Sequence, residues 1–138
     1  MYIPASFSVD DTETLAAFVE ADPFATLIST GEVPEVTHLP LLLDAKAGEL
    51  LGHVAKANPH ARRLDGARTL ASFHGPHAYV SPSWYGTSVA VPTWNYAVVH
   101  VSGTSELVSE AETKDVLDRM VEKFESPQPS PWPNQLRD

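Results

Sequence analysis

The sequence predicts a mainly β protein (α+β) whose antiparallel sheet closes into a small barrel, with helices at its periphery. Three observations point there. Five or six short segments rich in β-forming residues recur along 138 residues. The first of them are joined by short polar turns, which antiparallel neighbours allow and parallel ones do not. Helix signatures are confined to three places. Closure into a barrel removes the exposed edges that so small a sheet would otherwise present.

Asp10-Asp11-Thr12-Glu13 offers a helix start, with Asp10 as cap and Glu13 closing a capping box. Leu15, Phe18 and Val19 make its apolar stripe, and Pro23 stops it. Strands are expected over 24–30, 36–43 and 50–54, with a turn at Asp44–Gly48. Asn58-Pro59 reads as an N-cap with proline at the first helical position, opening a helix to about Leu64. A fourth strand covers 69–73. Residues 93–102 alternate, with Trp94, Tyr96, Val98 and His100 on one face and Asn95, Ala97, Val99 and Val101 on the other. Gly103 is expected to interrupt this strand before it resumes at 104–108. Ser109 and Glu112 then form a capping box ahead of the stripe Val116, Leu117, Met120, Val121 and Phe124. The reading is one domain over residues 1–125 and an extended proline-rich tail over 126–138, where Pro127, Pro129, Pro131 and Pro133 forbid regular structure.

Composition narrows the function. With no cysteine, disulfides, thiolate zinc sites and a cysteine nucleophile are excluded. No apolar run approaches the roughly 20 residues that cross a bilayer. The start MYIPASF lacks a secretory signal's basic and apolar regions, so a cytoplasmic protein with no membrane partner is expected. The formal charge is −9, yet Lys56, Arg62, Arg63 and Arg68 against Asp65 give residues 53–68 a local +3. Duplex DNA demands an extended basic surface and no DNA-binding motif is recognisable, so direct DNA binding is not expected; one compact basic spot suits a small anion or a solvated helix face.

Two segments carry chemistry. From Phe73 to Gly103 the chain brings Tyr79, Trp84, Tyr85, Trp94 and Tyr96 together with Ser81, Ser83, Thr93 and Asn95, between Pro76, Pro82 and Pro92. Rings beside short polar groups suit a flat, partly polar ligand, or else an aromatic mini-core. In Gly52–Arg63 a strand ends, a turn carries Lys56, and a helix begins at Asn58. Free amides at a helix start bind phosphate, though Asn58 can equally be a structural cap. Six histidines form no zinc-binding pair of the HExxH kind, so no metal is expected. His38 and His53 read as pocket hydrogen-bonders. No GxSxG, GxGxxG or Walker loop is present.

Five blocks in order, MYIPASF, HLPLLLD at 38–44, GHVAKANPH at 52–60, GPHAYVSPSWY at 75–85 and VPTWNYAVVHVSG at 91–103, resemble the PaiB-like family of FMN-binding negative transcriptional regulators. The resemblance spans Met1 to Phe124. It implies an antiparallel split β-barrel of FMN-binding, pyridoxamine-phosphate-oxidase-like type, working as a homodimer with FMN at each subunit junction. It places Lys56 and Asn58 at the flavin phosphate and His53, Val54, Thr93, Trp94 and Asn95 around the flavin. With His38 and Ser81 from the residue reading, these are the candidate cofactor-binding residues; none is assigned a catalytic role. Family members run on past the third helix with further strands and a lysine-containing motif, whereas this sequence stops at Asp138, as a fragment or a shortened version. Regulation is expected through a partner or the flavin's state. An FMN-dependent oxidoreductase and a non-catalytic dimeric scaffold with a vestigial pocket are the alternatives.

Overall fold

The computed structural model describes residues 2–87 and 89–134. Met1 and the last four residues of the expected tail lie outside them. Helix α1 (Thr12–Ala21) is followed by strands β1 (Phe24–Ser29), β2 (Glu35–Pro40), β3 (Leu42–Asp44), β4 (Glu49–Leu51), β5 (Arg68–Val80) and β6 (Thr93–Thr104), then by helix α2 (Glu110–Glu125). The main sheet runs β2-β1-β5-β6, antiparallel throughout, and β3 and β4 form a separate hairpin. The sheet is therefore not closed into a barrel within this chain.

Several elements differ from the sequence reading, each for a local reason. Asp11, not Asp10, caps α1: its carboxylate accepts the Thr14 amide at 2.8 Å and the Thr14 hydroxyl at 2.5 Å, so no Glu13 box forms. The single strand expected over 36–43 is two. Pro40 has no amide for the ladder, and the Leu41 amide turns instead to the Pro23 carbonyl at 2.9 Å. β5 runs seven residues past Phe73, because a bulge between His74 and His77 takes Gly75 and Pro76 out of the pairing. Gly103 does not interrupt β6; it pairs with Thr69. The α-helix expected from Asn58 is a five-residue 3-10 turn, Pro59–Arg63. Gly66, at φ 70°, turns the chain into β5 soon afterwards. At α2 the reading holds, with the Ser109–Glu112 capping box complete.

The core lies on one face of the sheet. Val19 of α1 packs with Ala25, Leu39, Leu41, Ala71 and the fully enclosed Phe73, flanked by Phe18, Val99 and Val101. A second cluster seats Val116 and Met120 of α2 against Leu42 and Leu51 of the hairpin. Arg119 of α2 also reaches Asp44 at 3.5 Å. The hairpin thus bridges α2 to the rest of the chain and fixes where the segment after β4 emerges.

Candidate functional site

The segment 52–63 leaves the hairpin under tight constraint. A Cβ on Gly52 would stand 2.6 Å from Leu41 Cδ2 and 3.2 Å from the Pro40 carbonyl, so glycine lets the backbone cross there without displacing the buried Leu41. His53 and Lys56 follow in the solvent, Val54 packs partly against the core, and the turn closes with the Asn58 amide on the Ala55 carbonyl at 2.8 Å. Lys56 Nζ lies 3.7 Å from Glu110 at the start of α2, with both side chains almost fully exposed.

Asn58 is committed inward. Its Oδ1 accepts the His60 amide at 3.0 Å and its Nδ2 donates to Thr37 Oγ1 at 3.2 Å. His60, 2% exposed, sets Nδ1 2.7 Å from Thr37 Oγ1 and Nε2 2.9 Å from Ser29 Oγ. The Asn58–Thr37–His60–Ser29 network pins the turn to β2 and β1, with every member satisfied. Sequence reasoning missed Thr37, Ser29 and His60. The available signal was the buried pattern of β1 and β2, which leaves hydroxyls on the core face near a capped turn. The Ser29–His60 pair is enclosed and has no carboxylate behind it, so it serves packing and not nucleophilic chemistry.

The second group of candidates lies elsewhere. Beyond the part of the sheet covered by β1, strands β5 and β6 continue as a two-stranded ribbon, pairing Ala78 with Asn95, Tyr79 with Trp94 and Val80 with Thr93. Ser81 follows directly and accepts the Ser83 amide at 3.3 Å. Trp94 packs edge-on to Tyr79 at 5.8 Å between ring centroids and tilted to His77 at 6.4 Å. Trp94 and Tyr96 are nonetheless 60% and 59% exposed. Where the ribbon leaves the sheet, a shallow cleft of about 430 Å³ is lined by His74, His77, Tyr96, Val98 and His100.

The Asn58 network and the ribbon stand at different rows of the sheet. Thr37, which holds Asn58, shares a row with Leu27, Ala71 and Val101. From Val101 to Asn95 along β6 is ~20 Å at the usual strand rise. His38 stands apart from both, on the opposite face of β2 from Thr37, its Nδ1 3.0 Å from Thr26 Oγ1. Among the described residues, no three histidine, aspartate or glutamate side chains converge as a metal site would require. No described helix is long and apolar enough to cross a membrane.

Comparison with known proteins defines the class first. The chain aligns with a FAD and heme binding protein from Mycobacterium smegmatis at TM-score 0.68 and 20% identity, covering 85% of this chain and 55% of that one. The flavocytochrome Anf3 from Azotobacter vinelandii aligns at 0.67 and 19%, covering 88% and 56%. The fold is thus of the antiparallel split-barrel type, with its sheet open in this chain.

The sequence matches the family described as "Putative FMN-binding domain" over residues 1–137, and the chain belongs to that family. FMN is the family's cofactor. The "Protease synthase and sporulation protein PAI 2" of Bacillus subtilis is 38% identical over 135 residues, 95% of this chain and 65% of that protein. The expected PaiB-like kinship is therefore correct. The chain spans slightly less than two thirds of that relative's length.

Proposed function

We propose that the chain is an FMN-binding domain that holds its cofactor at a homodimer junction, the basic turn of one subunit facing the aromatic ribbon of the other. One observation carries this reading: Asn58 of the turn is bonded to Thr37, whose row meets β6 at Val101, while Asn95 stands six residues, ~20 Å, farther along β6, so one subunit is read as offering two half-sites. A twofold axis crossing the strands reverses their direction and brings each ribbon to the partner's turn.

The residues fit the cofactor at both ends. Lys56 supplies a mobile cation for the phosphate, and Arg62 on the following 3-10 turn is exposed as well. Asn58 keeps the role of positioning Lys56, because its own amide is already bonded at both ends. His53 and Val54 border the phosphate side. On the ribbon, Trp94 offers a flat apolar surface, while Ser81, Thr93 and Asn95 offer hydrogen bonds to polar ring edges. His38 belongs to the subunit contact in this arrangement and not to the phosphate end. Bound FMN supplies redox chemistry, which the protein need only bind, orient and shield from water. Regulatory output, in this reading, runs through the flavin's state or a protein partner.

The test is the absorbance of purified protein between about 350 and 500 nm, where oxidised flavins absorb, with melting curves against added FMN. Free FMN at 100 times its dissociation constant adds about 2.7 kcal/mol to a fold that binds it only when native. A colourless protein whose melting ignores FMN overturns the reading.

A further inference from the structure

We infer that His60 is the positioning residue of the phosphate turn: from inside the fold it sets the preference for a phosphorylated over an unphosphorylated flavin, touching neither. The inference rests on the cofactor reading above and names the side chain on which the turn's place depends.

Little else holds the segment that carries Lys56. Residues 52–58 belong to no strand, and the contact of Lys56 with Glu110 is an exposed pair, too weak to fix it. Val54 packs against the core two residues before Lys56, and Asn58 is the anchor two residues after it. Of the two bonds made by the Asn58 side chain, Oδ1 to the His60 amide is internal to the turn. The bond that reaches the sheet runs from Nδ2 to Thr37 Oγ1 at 3.2 Å, so the turn depends on that hydroxyl. Arg63 also joins the turn to Glu35 of β2, at 3.6 Å, but its guanidinium is largely exposed and such a pair holds weakly.

A threonine hydroxyl rotates to suit its partners. His60 Nδ1, 2.7 Å from Thr37 Oγ1, stops that rotation and leaves the oxygen turned to receive Asn58. The ring is seated at its other end by Ser29 Oγ, 2.9 Å from Nε2. One imidazole, 2% exposed, thus spans β1 and β2. Enclosed in this way, it meets no ligand and acts through Thr37 and Asn58. Its nitrogens divide the work: Nε2 seats the ring, and Nδ1 orients the hydroxyl that holds the turn.

Amide side chains separate the two bonds. His60→Asn sets its amide where Nδ1 stood, and His60→Gln, one bond longer, sets its amide where Nε2 stood. FMN and riboflavin are titrated by flavin fluorescence into each protein, with circular dichroism to show that it is folded. His60→Gln keeps Ser29 and gives up Thr37, so FMN affinity should fall about 5-fold, what one net hydrogen bond is worth. Riboflavin should bind as before. His60→Asn keeps Thr37 and should bind both flavins as the parent does. In a Lys56→Ala background His60→Gln should cost FMN nothing further, because the cation that the turn presents is gone. Thr37→Val should repeat the FMN-specific loss, which secures the test if His60→Gln fails to fold.

Folded His60→Gln and Thr37→Val proteins that bind FMN as tightly as the parent overturn the inference and leave the cofactor reading to Lys56→Ala. Equal loss of FMN and riboflavin, or a loss that persists without Lys56, also overturns it, because His60 then serves the fold alone. A parent that binds the two flavins alike overturns the phosphate turn and this inference together.

Discussion

His60 Nε2 stands 2.9 Å from Ser29 Oγ, a buried contact across 31 residues that ties the start of the basic segment to the central strand pair. The imidazole's other nitrogen meets Thr37 Oγ1 at 2.7 Å. Ser29 is 4% exposed and Thr37 partly buried, so water replaces a lost partner poorly, least of all at Ser29.

His60→Ala should therefore destabilise the fold by about 3 kcal/mol, since each buried hydroxyl left unpaired costs ~1–3 kcal/mol. Thr37→Val, which removes one hydroxyl and keeps the shape, should cost about 1 kcal/mol. Urea unfolding read by tryptophan fluorescence measures both. Losses below ~0.5 kcal/mol for His60→Ala, the range of an ordinary surface change, would show the network to be incidental.

How far the sequence led is visible in particular residues. The face carrying Trp94, Tyr96, Val98 and His100 was legible because period-two alternation is a local property of the strand. The capping box at Ser109 and Glu112 was legible for the same reason. Asn58 was readable as a cap, but its Nδ2 bond to Thr37 was not, because that contact spans 21 residues. Pro76 hid the length of β5: proline signals a break, and only the pairing with β6 shows that a bulge absorbs it. The candidate site followed the same division. Each half was marked by its own residue types, while their separation depended on register, which no local pattern encodes.

Gly75 carries a prediction of its own. A Cβ there would sit 2.6 Å from Phe18 Cζ and 2.8 Å from Cε2, inside contact distance with an aromatic ring wedged against the core. Gly75→Ala should cost about 1–3 kcal/mol, as overpacking usually does. Phe18→Leu, which withdraws the ring, should recover part of that loss in the double variant. Strictly additive losses in the double-mutant cycle would mean that the backbone shifts elsewhere to relieve the clash.

Acid should loosen the helix ends and the hairpin turn. The Ser109 hydroxyl, then its amide, holds Glu112 below the usual carboxylate range. The Thr14 hydroxyl, then its amide, does the same for Asp11, and the Ala47 amide leads for Asp44, with Lys46 and Arg119 assisting. A carboxyl whose folded pKa is depressed contributes stability that is complete above its unfolded pKa, about 4, and is lost as pH falls through the folded value. The urea midpoint should thus be level above that range and decline below it. Glu112→Gln should start lower and lose less on acidification. A parallel decline in both proteins would remove Glu112 from this account.

Lys56 decides the phosphate assignment. Its ammonium reaches Glu110 at 3.7 Å, but both groups stand in solvent, where such a pair is weak and readily exchanged for a better anion. In the proposed function that better anion is the FMN phosphate. Lys56→Ala should remove a charge-assisted contact of roughly 1.5–3 kcal/mol. FMN affinity should then fall about 10- to 150-fold, at 1.4 kcal/mol for each tenfold step. Riboflavin, which has no phosphate, should bind parent and variant alike. Glu110→Gln should tighten FMN slightly by releasing the lysine, and Lys114→Ala, farther along α2, should change neither ligand. Titration of flavin fluorescence reads all four proteins. If Lys56→Ala weakens riboflavin as much as FMN, the side chain acts on the ring or the fold, and the phosphate must be held somewhere other than the turn that Asn58 and His60 pin in place.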